Sequence, residues 1–189
     1  FLIGIFQNGI GIAKKLIDVA EVSGCDAVKF QKLNPDICVP DHQKGVMRET
    51  PWGTMTYLEY KHRMEFNKEE YDEIDLYCKI KGIEWSASPW DMDSLDFLLQ
   101  YDIPFLKIPS AMITNEELMR ACASTGKKII FSAGMSSLDE VDKAVRWMEE
   151  ESANFALLHC NSSYPAPLED LNLSCVQTLK KRYNCEVGY

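Results

Sequence analysis

The sequence predicts an α/β fold, and within that class a (β/α)8 TIM barrel that is incomplete at its C-terminus, with about seven strands present. Three observations point there. Short apolar stretches of strand length alternate with stretches of helical period, which implies parallel strands joined by right-handed helical crossovers. The first stretch runs into "QNGIG", which lacks the GxGxxG spacing that a doubly wound nucleotide-binding sheet carries after its first strand. Polar residues gather at the C-terminal ends of several strands, where a barrel keeps its chemistry: Lys29 and Gln31, Ser88, Lys107 and Ser110, Ser132, Ser162 and Tyr164.

The elements follow in order. "FLIGI" (1–5) is a short buried strand. "IGIAKKLIDVAEVSG" is a helix whose Ile12, Leu16, Val19 and Ala20 form the apolar face, with Gly24 as its stop. "AVKFQ" is the next strand, and 32–66 is a long irregular stretch with Pro35, Pro40, Pro51 and Gly53. In "NKEEYDEIDLYCKIKG", Asn67 caps a helix with acids in its first turn, and the strand "IEWSASPW" comes directly after. Helices are then expected in "DMDSLDFLLQYD", "TNEELMRACASTG", "SLDEVDKAVRWMEEES" and "LEDLNLSCVQTLKKRYN". Strands are expected in "PFLKIPS", "KKIIFSAGM", "FALLHCNSSYP" and "CEVGY". Eight strand–helix units need about 250 residues. The chain of 189 residues is therefore expected to be the N-terminal part of a barrel domain.

Composition narrows the function classes. The chain is 46% hydrophobic, enough for a substantial core in one domain. No apolar run approaches the roughly 20 residues of a membrane span, and the opening stretch puts its charges after its apolar part, unlike a secretory signal. A net charge of −9 argues against nucleic acid as a partner, so any anion site must be local. Seven cysteines without a CxxC pair read as buried reduced thiols in a cytoplasmic protein.

The stretch "DAVKFQ" carries the chemical signal. With a strand period of two, Lys29 and Gln31 share one face while Val28 and Phe30 share the other, so the polar pair points to the barrel axis. Lys107 in "FLKIPS" repeats the pattern. A buried ammonium must meet an anion, shift its pKa or reach water. The strands offer few acids near these lysines, so a bound anion, with hydroxyls from Ser88, Ser110, Ser132 and Ser162 as further donors, is favoured over internal pairing. A Schiff-base lysine of the class I aldolase kind also fits one reactive amine. His159 reads as a core side chain, and no residues show metal-ligand spacing. Trp52, Met55, Tyr57 and Tyr60 read as anchors of the long loop.

Taken together, "DAVKFQ", "ASPWD", "FLKIPS", "ITN", "FSAGMSSLDE", "LLHCNSSYPAPLEDLNL" and "VGY" resemble, in order and spacing, the N-acetylneuraminate (sialic acid) synthase family, including its legionaminic and pseudaminic acid synthase relatives. The resemblance implies condensation of phosphoenolpyruvate with an N-acetylated hexosamine, typically N-acetylmannosamine, to a nonulosonic acid and phosphate. By motif position, Lys29 and Lys107 would hold phosphoenolpyruvate with help from Ser88, Ser110, Ser132 and Ser162, and Gln31 and Tyr164 would face the sugar. It also implies a divalent metal, manganese or magnesium, whose ligands lie beyond Tyr189, a C-terminal antifreeze-like (SAF) domain absent from this chain, and a homodimeric full-length protein.

The chain departs from the family pattern at two places. Phe1, Leu2 and Phe6–Gln7 stand where an AEIGxNHxG opening is usual, and Ser110–Ala111–Met112 stands where SGE or SGD is usual. The polypeptide by itself is expected to be inactive. The alternatives left open are a non-catalytic homologue that binds a phosphosugar or sialic acid, and the class I aldolase.

Overall fold

The computed structural model describes residues 2–4, by their backbone, and 9–189. Phe1 and residues 5–8 lie outside the described residues, so the ends of the expected 1–5 strand and the Phe6–Gln7 departure lie outside them too. The chain forms two compact units, Phe1–Ile103 and Pro104–Tyr189, each with its own parallel sheet.

In the first unit the elements run β1 (Leu2–Gly4), α1 (Ile10–Val22), β2 (Ala27–Lys32), α2 (Pro35–Cys38), α3 (Asp41–Lys44), β3 (Met47–Thr50), β4 (Gly53–Thr56), α4 (Tyr57–Met64), α5 (Lys68–Lys81), β5 (Glu84–Pro89) and α6 (Met92–Leu98). Its sheet has the order β1-β2-β5, all parallel, with α1 alone joining β1 to β2 and a longer segment ending in α5 joining β2 to β5. One face of the sheet is sealed by rings. Phe30 and Trp85 meet Tyr71 of α5 at centroid distances of 6.4 and 5.7 Å, and Phe97 of α6 stands 5.2 Å from the same ring. Tyr71 is fully buried, and its hydroxyl donates to the Gln31 carbonyl at 2.8 Å, so the polar tip of the ring is satisfied by the strand it packs on.

The capping logic holds for α5. Asn67 accepts from the Glu70 amide while Glu70 reaches back to the Asn67 amide, and Gly82 ends the helix at φ 68°. Two expectations need correction. The buried face of α1 is Ala13, Ile17 and Ala20, whereas Ile12 and Val19 are 45% and 58% exposed. The helix carries two apolar stripes about 100° apart, one residue's rotation.

The stretch 32–66 is not irregular. It holds α2, α3, the antiparallel β3–β4 hairpin and α4, which opens with a capping box between Thr56 and Glu59. The TxxE spacing was the available signal. Trp52, Tyr57 and Tyr60 pack within this segment, with the Arg48 guanidinium 3.8 Å over Tyr57 and that of Arg63 4.8 Å over Trp52.

The second unit runs β6 (Phe105–Ile108), α7 (Glu116–Ala123), β7 (Lys128–Ser132), α8 (Leu138–Glu150), β8 (Phe155–Leu158), α9 (Ser174–Tyr183) and β9 (Glu186–Gly188), with a parallel sheet ordered β6-β7-β8-β9. Leu106, Ile108, Ile129, Phe131 and Leu157 are buried on one face, and Leu118, Met119, Val141, Ala144 and Met148 of α7 and α8 supply the helical apolar layer. Asn115 and Ser137 cap α7 and α8 as their spacing predicts. The last helix begins at Ser174, not at Leu168: a short 3-10 turn, Leu168–Asp170, and Asn172 at φ 45° interrupt the apolar pattern first. Among the described residues, a strand lies in each stretch where one is expected, and the hairpin adds two more. Among the described residues, no helix is long and apolar enough to cross a membrane.

Helix α9 is tied to α8 through Asp142, whose carboxylate accepts from the Arg182 guanidinium at 2.5 and 2.8 Å and from the Tyr183 hydroxyl at 2.7 Å. These hydrogen bonds, the Arg182 ones foremost, hold the Asp142 carboxyl down at about 2. A folded pKa below the unfolded value gives stability that is present above the ordinary carboxylate range and is lost as pH falls through the folded value. Hydrogen-exchange protection of the Ser174–Tyr183 amides should therefore fall between about pH 4 and pH 2, and Asp142→Asn should remove that step. An unchanged profile in the variant would show that another group holds α9.

Candidate functional site

Each sheet presents one polar face. In the first unit, Lys29 pairs in register with Ser86 and Gln31 with Ser88, so these four side chains share the face turned away from the Phe30, Tyr71 and Trp85 rings. The alternation in "AVKFQ" produces this directly, since its apolar partners are claimed by the helix layer. Lys29 is half-buried and Gln31 is exposed. Ser86 and Ser88 are fully buried, and the Ser88 hydroxyl has no hydrogen-bond partner among the described residues. Such an orphan is costly in a native interior and calls for an explanation.

A third strand lysine shows what internal pairing looks like. Lys32 points to the opposite face, where Nζ donates to Glu65 Oε2 at 3.0 Å and to the Phe66 carbonyl at 3.1 Å, 4.8 Å from the Phe97 ring centroid. Burial pushes the Glu65 carboxyl above its ordinary value, against the pull of Lys32. Lys128 of β7 likewise pairs with a carboxylate, its Nζ donating to Glu186 Oε2 at 2.8 Å.

In the second unit, Lys107 of β6 and Ser132 of β7 share a face, because Lys107 is in register with Ile130, two residues before Ser132. Lys107 is 6% exposed. Its Nζ donates to Ser132 Oγ at 2.6 Å and to the Ile108 carbonyl at 3.0 Å, both neutral oxygens. Ser132 Oγ also accepts from the Cys160 thiol at 3.4 Å. Beside this chain, the Gly134 amide donates to Ser110 Oγ at 3.0 Å, and Ser110 and Ser162 both border the space over Gly134 Cα.

Ser110 and Ser162 sit past the strand ends: Ser110 opens a 3-10 turn, and β8 stops at Leu158. Lys107, Ser110, Ser132 and Ser162 thus gather in one cluster. Tyr164 is 92% exposed and makes no hydrogen bond among the described residues. Gly134 and Cys160 were missed, because a close approach and a thiol contact between strand ends leave no local pattern. His159 behaves as a structural residue, its Nε2 lying 2.9 Å from the Leu171 carbonyl oxygen. All seven cysteines are free thiols, and burial pushes Cys78 and Cys122 up to about 12. Among the described residues, no three His, Cys, Asp or Glu side chains gather as a metal-ligand set.

The arrangement can bind an anion: a buried ammonium plus hydroxyl donors on successive strand ends recognises carboxylate or phosphate oxygens. The chain is 34% identical to the N,N'-diacetyllegionaminic acid synthase of Campylobacter jejuni over 98% of its own length and 58% of that protein. It is 34% identical to the N-acetylneuraminate-9-phosphate synthase of Drosophila melanogaster over 97% of its length and 50% of that protein. The crystal structure of N-acetylneuraminic acid (sialic acid) synthetase from Leptospira borgpetersenii, in complex with citrate, superposes with a TM-score of 0.88 at 32% identity, covering 100% of this chain and 64% of that one. The chain thus spans about half the length of the curated relatives it matches. The NeuB family profile matches residues 16–189, and the chain belongs to the NeuB family.

Proposed function

We propose that the polypeptide carrying this chain is a nonulosonic acid synthase on a (β/α)8 barrel, condensing phosphoenolpyruvate with an N-acetylated hexosamine. The enol carbon of phosphoenolpyruvate forms the new bond to the open-chain sugar aldehyde, water adds at the carbon bearing the phosphate, and phosphate leaves. The observation that carries this reading is the Lys107 ammonium, 6% exposed and bonded to the Ser132 hydroxyl, with two further serine hydroxyls gathered at Gly134. A desolvated cation with neutral donors around it is suited to an anionic substrate.

In this reading Lys107 and Ser132 hold phosphoenolpyruvate oxygens. Within the first unit, the unpartnered Ser88 hydroxyl with Lys29 and Gln31 on the polar face of β2 and β5 is a further candidate set of ligand contacts. Tyr164, on an exposed loop, is the candidate to meet the sugar. The manganese or magnesium ion expected for the family would draw its ligands from outside the described residues. The free thiols support a cytoplasmic setting, and a homodimer is the expected assembly of the full polypeptide.

Calorimetric titration of the full polypeptide with phosphoenolpyruvate tests the reading. Lys107→Ala should weaken binding by about ten- to hundredfold, the value of a lost charge-assisted hydrogen bond; equal affinity would mean the anion sits elsewhere. Ser88→Ala separates a ligand role from a structural one. Removing an orphaned buried hydroxyl should leave stability unchanged or raise it by up to about 1 kcal/mol, while phosphoenolpyruvate affinity drops. Stability lost with affinity intact would assign that hydroxyl to the fold.

A further inference from the structure

Gly134 is buried, and its φ is not in the left-handed region, so its backbone conformation does not call for glycine. Its neighbours do. A Cβ on Gly134 would lie 2.8 Å from Ser110 Oγ, 2.8 Å from Ser162 Oγ and 3.3 Å from Cys160 Cβ. At the positive-φ glycines 9, 24, 53, 82 and 126 a Cβ would meet nothing, and at Gly188 it would meet only the tip of the Leu158 side chain, at 3.0 Å. Gly134 is thus the described glycine whose missing side chain is a space shared by two hydroxyls. The space adjoins the Lys107–Ser132–Cys160 chain, because Cys160 borders it and donates to Ser132.

Resting on the phosphoenolpyruvate reading above, we propose that Gly134 is a positioning residue that converges the Ser110 and Ser162 hydroxyls on one oxyanion group of the ligand. Two features produce the convergence. The absent side chain lets both oxygens come within 2.8 Å of a single point, close enough together to bridge one carboxylate or phosphate group. The Gly134 amide, donating at 3.0 Å, fills an acceptor position on Ser110 Oγ, which leaves the Ser110 proton for an outside acceptor. Among the described residues neither Ser110 nor Ser162 makes another side-chain hydrogen bond. Ser162 lies on an exposed loop, so an added methyl would displace it outward at little cost to the fold and break up the pair.

The test is a titration cycle on the full polypeptide with phosphoenolpyruvate, and with inorganic phosphate and pyruvate as separate probes of its two anionic ends. Gly134→Ala should weaken phosphoenolpyruvate binding at least about tenfold and weaken the response to whichever of the two probes reports the bridged group. In a Ser110→Gly/Ser162→Gly background, Gly134→Ala should change affinity by less than about twofold, because the hydroxyls it displaces are gone. Equal losses in both backgrounds, or no loss in the first, would overturn the proposal. Should Gly134→Ala not fold, Ser110→Ala/Ser162→Ala must itself lose at least about tenfold, and unchanged affinity there is equally fatal. A parent protein that binds none of the three probes removes the phosphoenolpyruvate reading and this one together. A parent that binds while Gly134→Ala matches it removes this one alone.

Discussion

A lysine ammonium taken out of water at Lys107 is the constraint around which the second unit's polar face is arranged. Desolvation of an ammonium costs several kcal/mol unless good acceptors replace the water. Strand β6 supplies one through the carbonyl of the next residue, Ile108, and β7 supplies the other by ending on Ser132. Both are neutral oxygens that orient the ammonium. Lys32, on the helix side of the first unit's sheet, is held by the Glu65 carboxylate in a structural ion pair.

Everything that holds Lys107 in place follows from the alternation of faces. Leu106 and Ile108 go into the apolar layer with Ile129 and Phe131, which leaves Lys107 and Ser132 the other side. The rings packed on Phe30 do the same for Lys29 and Gln31 in the first unit, and the hydroxyl of Tyr71 pins the Gln31 carbonyl. The helices are set by their caps, with Asn67, Asn115 and Ser137 each accepting from the first-turn amides. Placement of the polar residues is thus a by-product of burying the apolar ones.

These dependencies explain what could be read from the sequence. Strand and helix order, the caps, and the shared face of Lys29 and Gln31 depend on local period and on residues three or four apart, and they were legible. The face of α1 was not, because its two apolar stripes differ by one residue and only docking selects Ala13, Ile17 and Ala20. The 32–66 segment misled because prolines and glycines mark short helices and a hairpin as readily as loops. Of the residues clustered near Gly134, Lys107, Ser110, Ser132 and Ser162 could be singled out by type and position, whereas the approach of Gly134 and Cys160 is a distance between strand ends that no local pattern carries. The chain belongs to the NeuB family, and Met112 stands in the 3-10 turn where the family resemblance leads one to expect an acid.

The central claim is that the polar strand ends around Lys107 exist to hold an anionic substrate. A crystal structure of the full polypeptide with phosphoenolpyruvate measures it most directly. The account predicts a ligand oxygen within hydrogen-bond distance of Lys107 Nζ, with the Ser132 hydroxyl beside it. Phosphoenolpyruvate bound away from β6 and β7, with the Lys107 ammonium held wholly by protein groups, would contradict it.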